Sequence, residues 1–151
     1  MEVNMYYKPK DFELYELYPK DFYERMIKEK NGEAKLWQLW DYEILYTAQH
    51  LRNRYGAMSI NNWHDGGDRQ YCGWRPMDCK VGALLSDHKS WKGLDLHPAG
   101  ISAIDIRTQI LSDPYHEDFK FITCLEMDIS WLHVSTRNWQ KDKYGIQKVY
   151  P

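Results

Sequence analysis

The sequence predicts an α+β domain in which a small antiparallel sheet packs against helices. Three observations carry this. The apolar positions Leu36, Leu39, Trp40, Ile44, Leu45, Ala48 and Leu51 follow three-and-four spacing over residues 34–55, as one long amphipathic helix requires. Apolar–polar alternation at 57–63 and in Gly93-Leu94-Asp95-Leu96-His97 marks short strands whose successive side chains point to opposite faces. Two later runs, 119–126 and 131–136, have the same character.

Composition bounds the answer further. A chain of 151 residues is one domain, long enough to bury about two thirds of the surface its unfolded form exposes, so it needs no disulfides to fold. A formal charge of −2 and a pI near 6.3, with scattered Lys and Arg, give no basic footprint, which excludes a nucleic-acid partner. The start lacks a basic segment followed by an apolar one, and no apolar run of about 18 residues occurs, so neither a signal peptide nor a membrane span is expected and the chain is made in the cytoplasm. Cys72, Cys79 and Cys124 form no metal-type Cys-x-x-Cys pair and read as free thiols of a reducing cytosol. A Cys72–Cys79 bridge is the alternative for a protein that ends up outside the cell.

In chain order, residues 1–33 read as an N-terminal arm with a short helix packed on a domain of residues 34–151. Pro-Lys-Asp-Phe occurs at 9–12 and again at 19–22, too short a period for a solenoid. Pro19 suits a first helical position, Phe22, Tyr23 and Met26 mark one face, and Asn31-Gly32 ends the helix after Lys30. The long helix follows and stops at Gly56, with His50 in its second half expected to be a surface or satisfied histidine. Residues 64–76 form a Gly-rich, aromatic connection, long enough to be functional rather than a mere linker. Pro98-Ala99-Gly100 turns the chain into a helix over 101–111 that buries Ile104, Ile106, Ile110 and Leu111, closed by Asp113-Pro114. His116 falls in a polar loop and reads as solvated. The tail, 137–151, carries no motif.

The chemistry concentrates around residues 86–97 and 126–133. With Leu94 and Leu96 turned inward, Asp95 and His97 share the other face of their strand, and the preceding loop delivers His88 beside that carboxylate. Zn²⁺ accepts imidazole nitrogen and carboxylate oxygen, and a catalytic zinc site uses three protein ligands with a fourth position left open. His133, in Trp131-Leu132-His133-Val134, supplies the third. Such a site also needs a base. A turn near Ile129-Ser130 would set Glu126 opposite His133 on an antiparallel hairpin, with Asp128 as the fallback. His97 could line the site or orient a ligand, and His64 could touch substrate. Trp63, Trp74, Trp91 and Trp131 could floor a groove for a sugar–peptide polymer.

At these residues the sequence resembles the zinc D-Ala-D-Ala carboxypeptidase family, with its phage endolysin relatives and the hedgehog signalling domain. Ser86, His88 and Asp95 match the family's Ser-x-His-x-x-Gly-x-Ala-x-Asp motif in register, with Trp91 in place of the Gly and Gly93 in place of the Ala. Trp131 and His133 match its second motif, a strand ending in Trp-x-His, and the resemblance runs over about residues 35–137. It implies a hedgehog-like fold, a zinc cofactor held by His88, Asp95 and His133, and hydrolysis of peptidoglycan stems or cross-links by a D,D-carboxypeptidase or an endolysin-type endopeptidase. It also implies an arginine gripping the substrate's carboxylate end, for which Arg75 in Cys72-Gly73-Trp74-Arg75 is the nearest match, with Ser86 beside it and Arg69 as a substitute. The Glu that many endolysins carry three residues before the last His is replaced by Ser130, while Glu126 resembles the Glu closing the penultimate strand in phage members and the hedgehog domain. Action at the cell wall, after release or as a virion component, follows from the same likeness. The rival expectation is a member of the fold without turnover, a virion or wall-binding module.

Overall fold

The computed structural model describes residues 5–151. Residues 1–4 of the expected arm lie outside the described residues. Phe12, Leu14, Leu17 and Tyr18 are buried in the same cluster as Leu36, Trp37, Ile44, Leu94 and Ile106, and the Tyr18 hydroxyl donates to Leu36 O at 2.6 Å. Helix α1 (Lys20–Met26) stops short of Lys30, and Pro19 caps it rather than opening it. Asn31, at φ 58°, starts helix α2 (Gly32–Gln38) instead of ending α1. Only glycine fits at position 32, where an added Cβ would lie 2.2 Å from Met26 O.

The single long helix expected over 34–55 is two helices, α2 and α3 (Tyr42–Tyr55). Asp41 makes the break: its N–H donates to Trp91 O at 3.3 Å and its carboxylate accepts from Thr136 Oγ1 at 2.5 Å, which turns the chain out of the helical path. Three-and-four spacing runs through the break because both helices turn their apolar face to one core, although Leu39, at the break itself, is 47% exposed.

The sheet is built from β1 (Met58–Ser59), β2 (Gly93–Pro98), β3 (Cys124–Glu126), β4 (Leu132–Ser135) and β5 (Gln147–Val149), in the order β1-β2-β4-β3-β5. Neighbours are antiparallel except β5, which runs parallel to β3, so the sheet is mixed and not purely antiparallel. After β4 the chain reverses through the four-residue helix Lys141–Tyr144, and the returning strand therefore travels in the direction of β3. Two expected strands are shorter than their runs: only two residues of 57–63 pair, and of 119–126 only the last three do, with Phe119 and Ile122 buried from turn positions. The helix after β2 spans Ala103–Ser112 and buries Ala103, Ile106, Arg107 and Ile110. Ile104, expected inside, is 65% exposed, because it lies about 200° round the helix from Ile106. Leu94 and Leu96 of β2 and Leu132 and Val134 of β4 face the helices, which leaves Asp95 and His133 on the opposite side of the sheet.

Candidate metal centre

Asp95 and His133 are direct partners in the β2–β4 ladder, so backbone register alone brings a carboxylate against an imidazole. His88 arrives from a 3-10 turn, Asp87–Ser90, which Ser86 begins by accepting the His88 N–H on its Oγ at 3.2 Å. The turn closes on Trp91 at φ 58°, a left-handed conformation that costs a side-chain-bearing residue about 1–2 kcal/mol. This is where the family motif has its Gly. Stacking of Trp91 on Trp74, with centroids 5.3 Å apart and planes at 15°, offsets the strain. At Gly93, where the motif has Ala, an added Cβ would come 3.0 Å from Asp87 Cβ, so the turn is packed down to a glycine.

Among the described residues, one group of metal-ligating side chains converges, and it consists of His88, Asp95 and His133, all buried. His133 Nδ1 lies 2.8 Å from Asp95 Oδ1, His88 Nε2 lies 3.2 Å from His133 Nδ1, and His88 Nε2 lies 3.3 Å from Asp95 Oδ1. Donor atoms about 2.0–2.2 Å from a tetrahedral ion stand roughly 3.3–3.6 Å apart, so two edges of the triangle are close to what such an ion needs and the 2.8 Å edge would have to open. His88 Nδ1 must carry a hydrogen to bond Gly73 O at 2.7 Å, and burial lowers the pKa of this imidazole, which leaves a lone pair on Nε2 facing a carboxylate. Burial alone would raise the Asp95 carboxyl, but the two imidazoles beside it hold it well below the usual carboxylate range. A hydrogen on His133 Nδ1 can bridge Asp95 Oδ1 and His88 Nε2, and so can a cation: the group could hold a metal ion.

Supporting contacts fix the three side chains. Asp95 N–H donates to Cys72 O at 2.8 Å, and Arg75 Nη2 donates to Asp95 Oδ2 at 3.1 Å, leaving Oδ1 for the two histidines. Arg75 also spends its Nε on Tyr71 O at 2.7 Å and its Nη1 on Val81 O at 3.4 Å. The residue expected to grip a substrate thus binds the aspartate first. A cleft of about 620 Å³ opens over the group and is bordered by Arg75, Ser86, Glu126, Trp131 and Arg137.

Glu126 ends β3. The pairs Cys124↔Ser135 and Leu125↔Val134, continued by one residue, set it beside His133, so Asp95, His133 and Glu126 form a row across β2, β4 and β3. Asp128 stands elsewhere, at φ 59° in a separate depression with Ile104 and Arg107. Arg69 is held by Ile60 O at 3.2 Å and Ser59 Oγ at 2.9 Å, in an adjoining depression of about 310 Å³. That depression also holds His97, whose Nε2 faces Cys72 Sγ at 3.4 Å rather than a ligand of the group. His64 packs on Tyr15 with centroids 4.2 Å apart and does not border the cleft. His50 bonds Asp118 at 2.8 Å, and His116 Nδ1 accepts the Asp118 N–H at 3.0 Å. Of the four tryptophans expected to floor a groove, only Trp131 borders the cleft; Trp74 and Trp91 stack together, and Trp63 donates to Tyr18 O at 2.9 Å. The three cysteines are unpaired, and burial pushes the Cys72 thiol up to about 11.

Two arginines outside the expected set support the site, Arg137 at its edge and Arg107 from the neighbouring depression. Arg107 donates to Trp131 O at 2.8 Å and Ile129 O at 2.7 Å, pinning the loop that leads to His133. Its signal was present, since it falls on the apolar stripe with Ala103, Ile106 and Ile110. Arg137 Nε donates to Asp87 Oδ2 at 2.7 Å and braces the turn of His88 from the other side, a long-range contact no local pattern carries.

A scan against protein-family models finds no match to this chain, and searches of the curated proteins and of the solved structures find none either. Among the described residues no helix is long and apolar enough to cross a membrane.

Proposed function

We propose that the chain is a zinc-dependent peptidase acting on the peptide part of peptidoglycan, either a D,D-carboxypeptidase or an endolysin-type endopeptidase. One observation carries this reading: His88 and His133, 45 residues apart, meet Asp95 in one buried group, and all three sit where the sequence matches the two motifs of the zinc D-Ala-D-Ala carboxypeptidase family. His88 Nε2, Asp95 Oδ1 and His133 Nδ1 would hold Zn²⁺. Zinc bound there supplies Lewis acidity toward a water and toward the scissile carbonyl oxygen. Glu126 accepts the proton of the water as its oxygen adds to the carbonyl carbon, and returns it to the amine nitrogen as the C–N bond breaks. Arg75 holds Asp95 and, with Ser86, positions the substrate end that reaches the cleft. The place of action is the cell wall, reached after release from the cytoplasm or in a virion.

A second reading keeps the metal without turnover, as a virion or wall-binding module. It is favoured by Ser130 standing where many endolysins carry their base. Incubation of purified protein with defined muropeptides, with and without chelator, separates the two. Cleavage abolished by chelator and restored by zinc supports the peptidase; zinc uptake and muropeptide binding without cleavage support the module. A protein that takes up no zinc overturns both.

A further inference from the structure

A further depression, of about 440 Å³, shares no lining residue with the metal cleft. It is walled by the start of α3, the loop around 115–123 and the tail residues 139–143. We infer that it binds an uncharged sugar chain. Tyr115 is 54% exposed, and Phe121 and Trp139 are half-buried, so three rings border the depression. Lys141 Nζ lies over the Tyr115 ring at 4.8 Å and Lys120 Nζ over the Phe121 ring at 5.0 Å, so each of these rings has one face left, and on such a face, as on Trp139, the C–H side of a pyranose can lie. Trp139 is held in place by its Nε1–H donating to Gly145 O at 2.8 Å.

Polar groups and charge narrow the ligand. The Glu43 carboxylate and the Gln140 side-chain amide line the depression and make no side-chain hydrogen bond among the described residues, so both remain free to bond hydroxyls. Glu43 and Asp142 line the depression with Lys120, Lys141 and Lys143; Lys120 is already bonded to Glu117 at 2.9 Å and the Lys141 ammonium is engaged by backbone carbonyls, so no concentration of one charge selects an ion. A ligand rich in hydroxyls, without net charge and with apolar ring faces, satisfies both conditions.

The scaffold gives the second argument. Lys141 is buried, and its ammonium donates to Pro114 O at 2.6 Å, Lys120 O at 3.0 Å and Phe119 O at 3.2 Å, while Lys141 O accepts from the Tyr115 hydroxyl at 3.0 Å. Desolvating an ammonium costs several kcal/mol before its bonds repay it. Here the bonds lock an irregular loop to the short helix of the tail, and what they hold in fixed geometry is this depression. The metal chemistry makes no use of it.

The test titrates the full chain with a β-1,4-linked N-acetylglucosamine tetramer and follows the Trp139 indole N–H by NMR. Saturable shifts at Trp139 and its neighbours are expected, and Trp139→Ala should raise Kd by about 10-fold with zinc uptake unchanged. Should that variant unfold, Gln140→Ala removes one hydrogen-bonding side chain and should raise Kd by about 3-fold or more. The inference is overturned by no shift at millimolar sugar, by shifts confined to Trp131 in the metal cleft, by affinity unchanged in a folded variant, or by a sugar-free stem peptide that moves Trp139 where the sugar does not.

Discussion

Asp95 and His133 occupy one rung of the β2–β4 ladder, and their side chains meet with Oδ1 and Nδ1 2.8 Å apart. Two of the three candidate ligands are thus set by strand pairing, and only His88 depends on a turn, which Ser86 and Arg137 hold from its two sides.

That arrangement predicts about one zinc per chain by elemental analysis, falling to background in His133→Ala. Arg75→Ala leaves all three ligands but frees Asp95 Oδ2, and zinc affinity should drop about 10- to 100-fold in chelator competition.

Glu126→Gln keeps the shape of the β3 end and removes the basic oxygen. Muropeptide cleavage should fall by about 10²- to 10⁴-fold with zinc content unchanged. Asp128→Asn should leave the rate near its starting value, because Asp128 borders the depression of Arg107 and not the cleft. The reverse pattern would move the base to Asp128.

Tyr18 gives a pH signature free of the metal. Burial raises its pKa above the ordinary 10.0, so the neutral phenol is favoured in the folded state. The stability it contributes is fully present below about pH 10 and is lost as pH climbs through the raised value, since the unfolded chain releases its proton first. Denaturant melts of Tyr18→Phe should show a loss of about 1 kcal/mol near neutrality from the hydrogen bond to Leu36 O, and a shallower decline above pH 10 than the parent.

Arg107→Ala removes two charge-assisted bonds to the carbonyls of Ile129 and Trp131 and leaves both short of a donor. A stability loss of about 3 kcal/mol is expected in chemical denaturation, with Arg107→Lys recovering only part of it. Zinc affinity should weaken as well, because the loop leading to His133 loosens.

The sequence made some elements visible and hid others for physical reasons. Leu94 and Leu96 alternate with Asp95, so the strand, its buried face and the carboxylate on the other face were all legible, and the position of Glu126 across from His133 needed only a turn between them. The break at Asp41 was hidden because apolar spacing continues across it, and the contacts that bend the chain come from Trp91 and Thr136, far along the sequence. β5 was hidden because three residues, half-buried, exposed and half-buried, are too few for a period to register. Arg75 was placed near the site but with its fork turned to Asp95, a choice made by three acceptors that only folding assembles.

The parallel seat of β5 also bears on how copies of the chain treat one another. It covers the flank of β3 that would otherwise present bare N–H and C=O groups, the template on which a foreign strand can add. A chain cut back before Gly145 would lose Val149 and Tyr150 from the cleft wall and uncover that flank in the same stroke, so clumping and a widened cleft should arrive together.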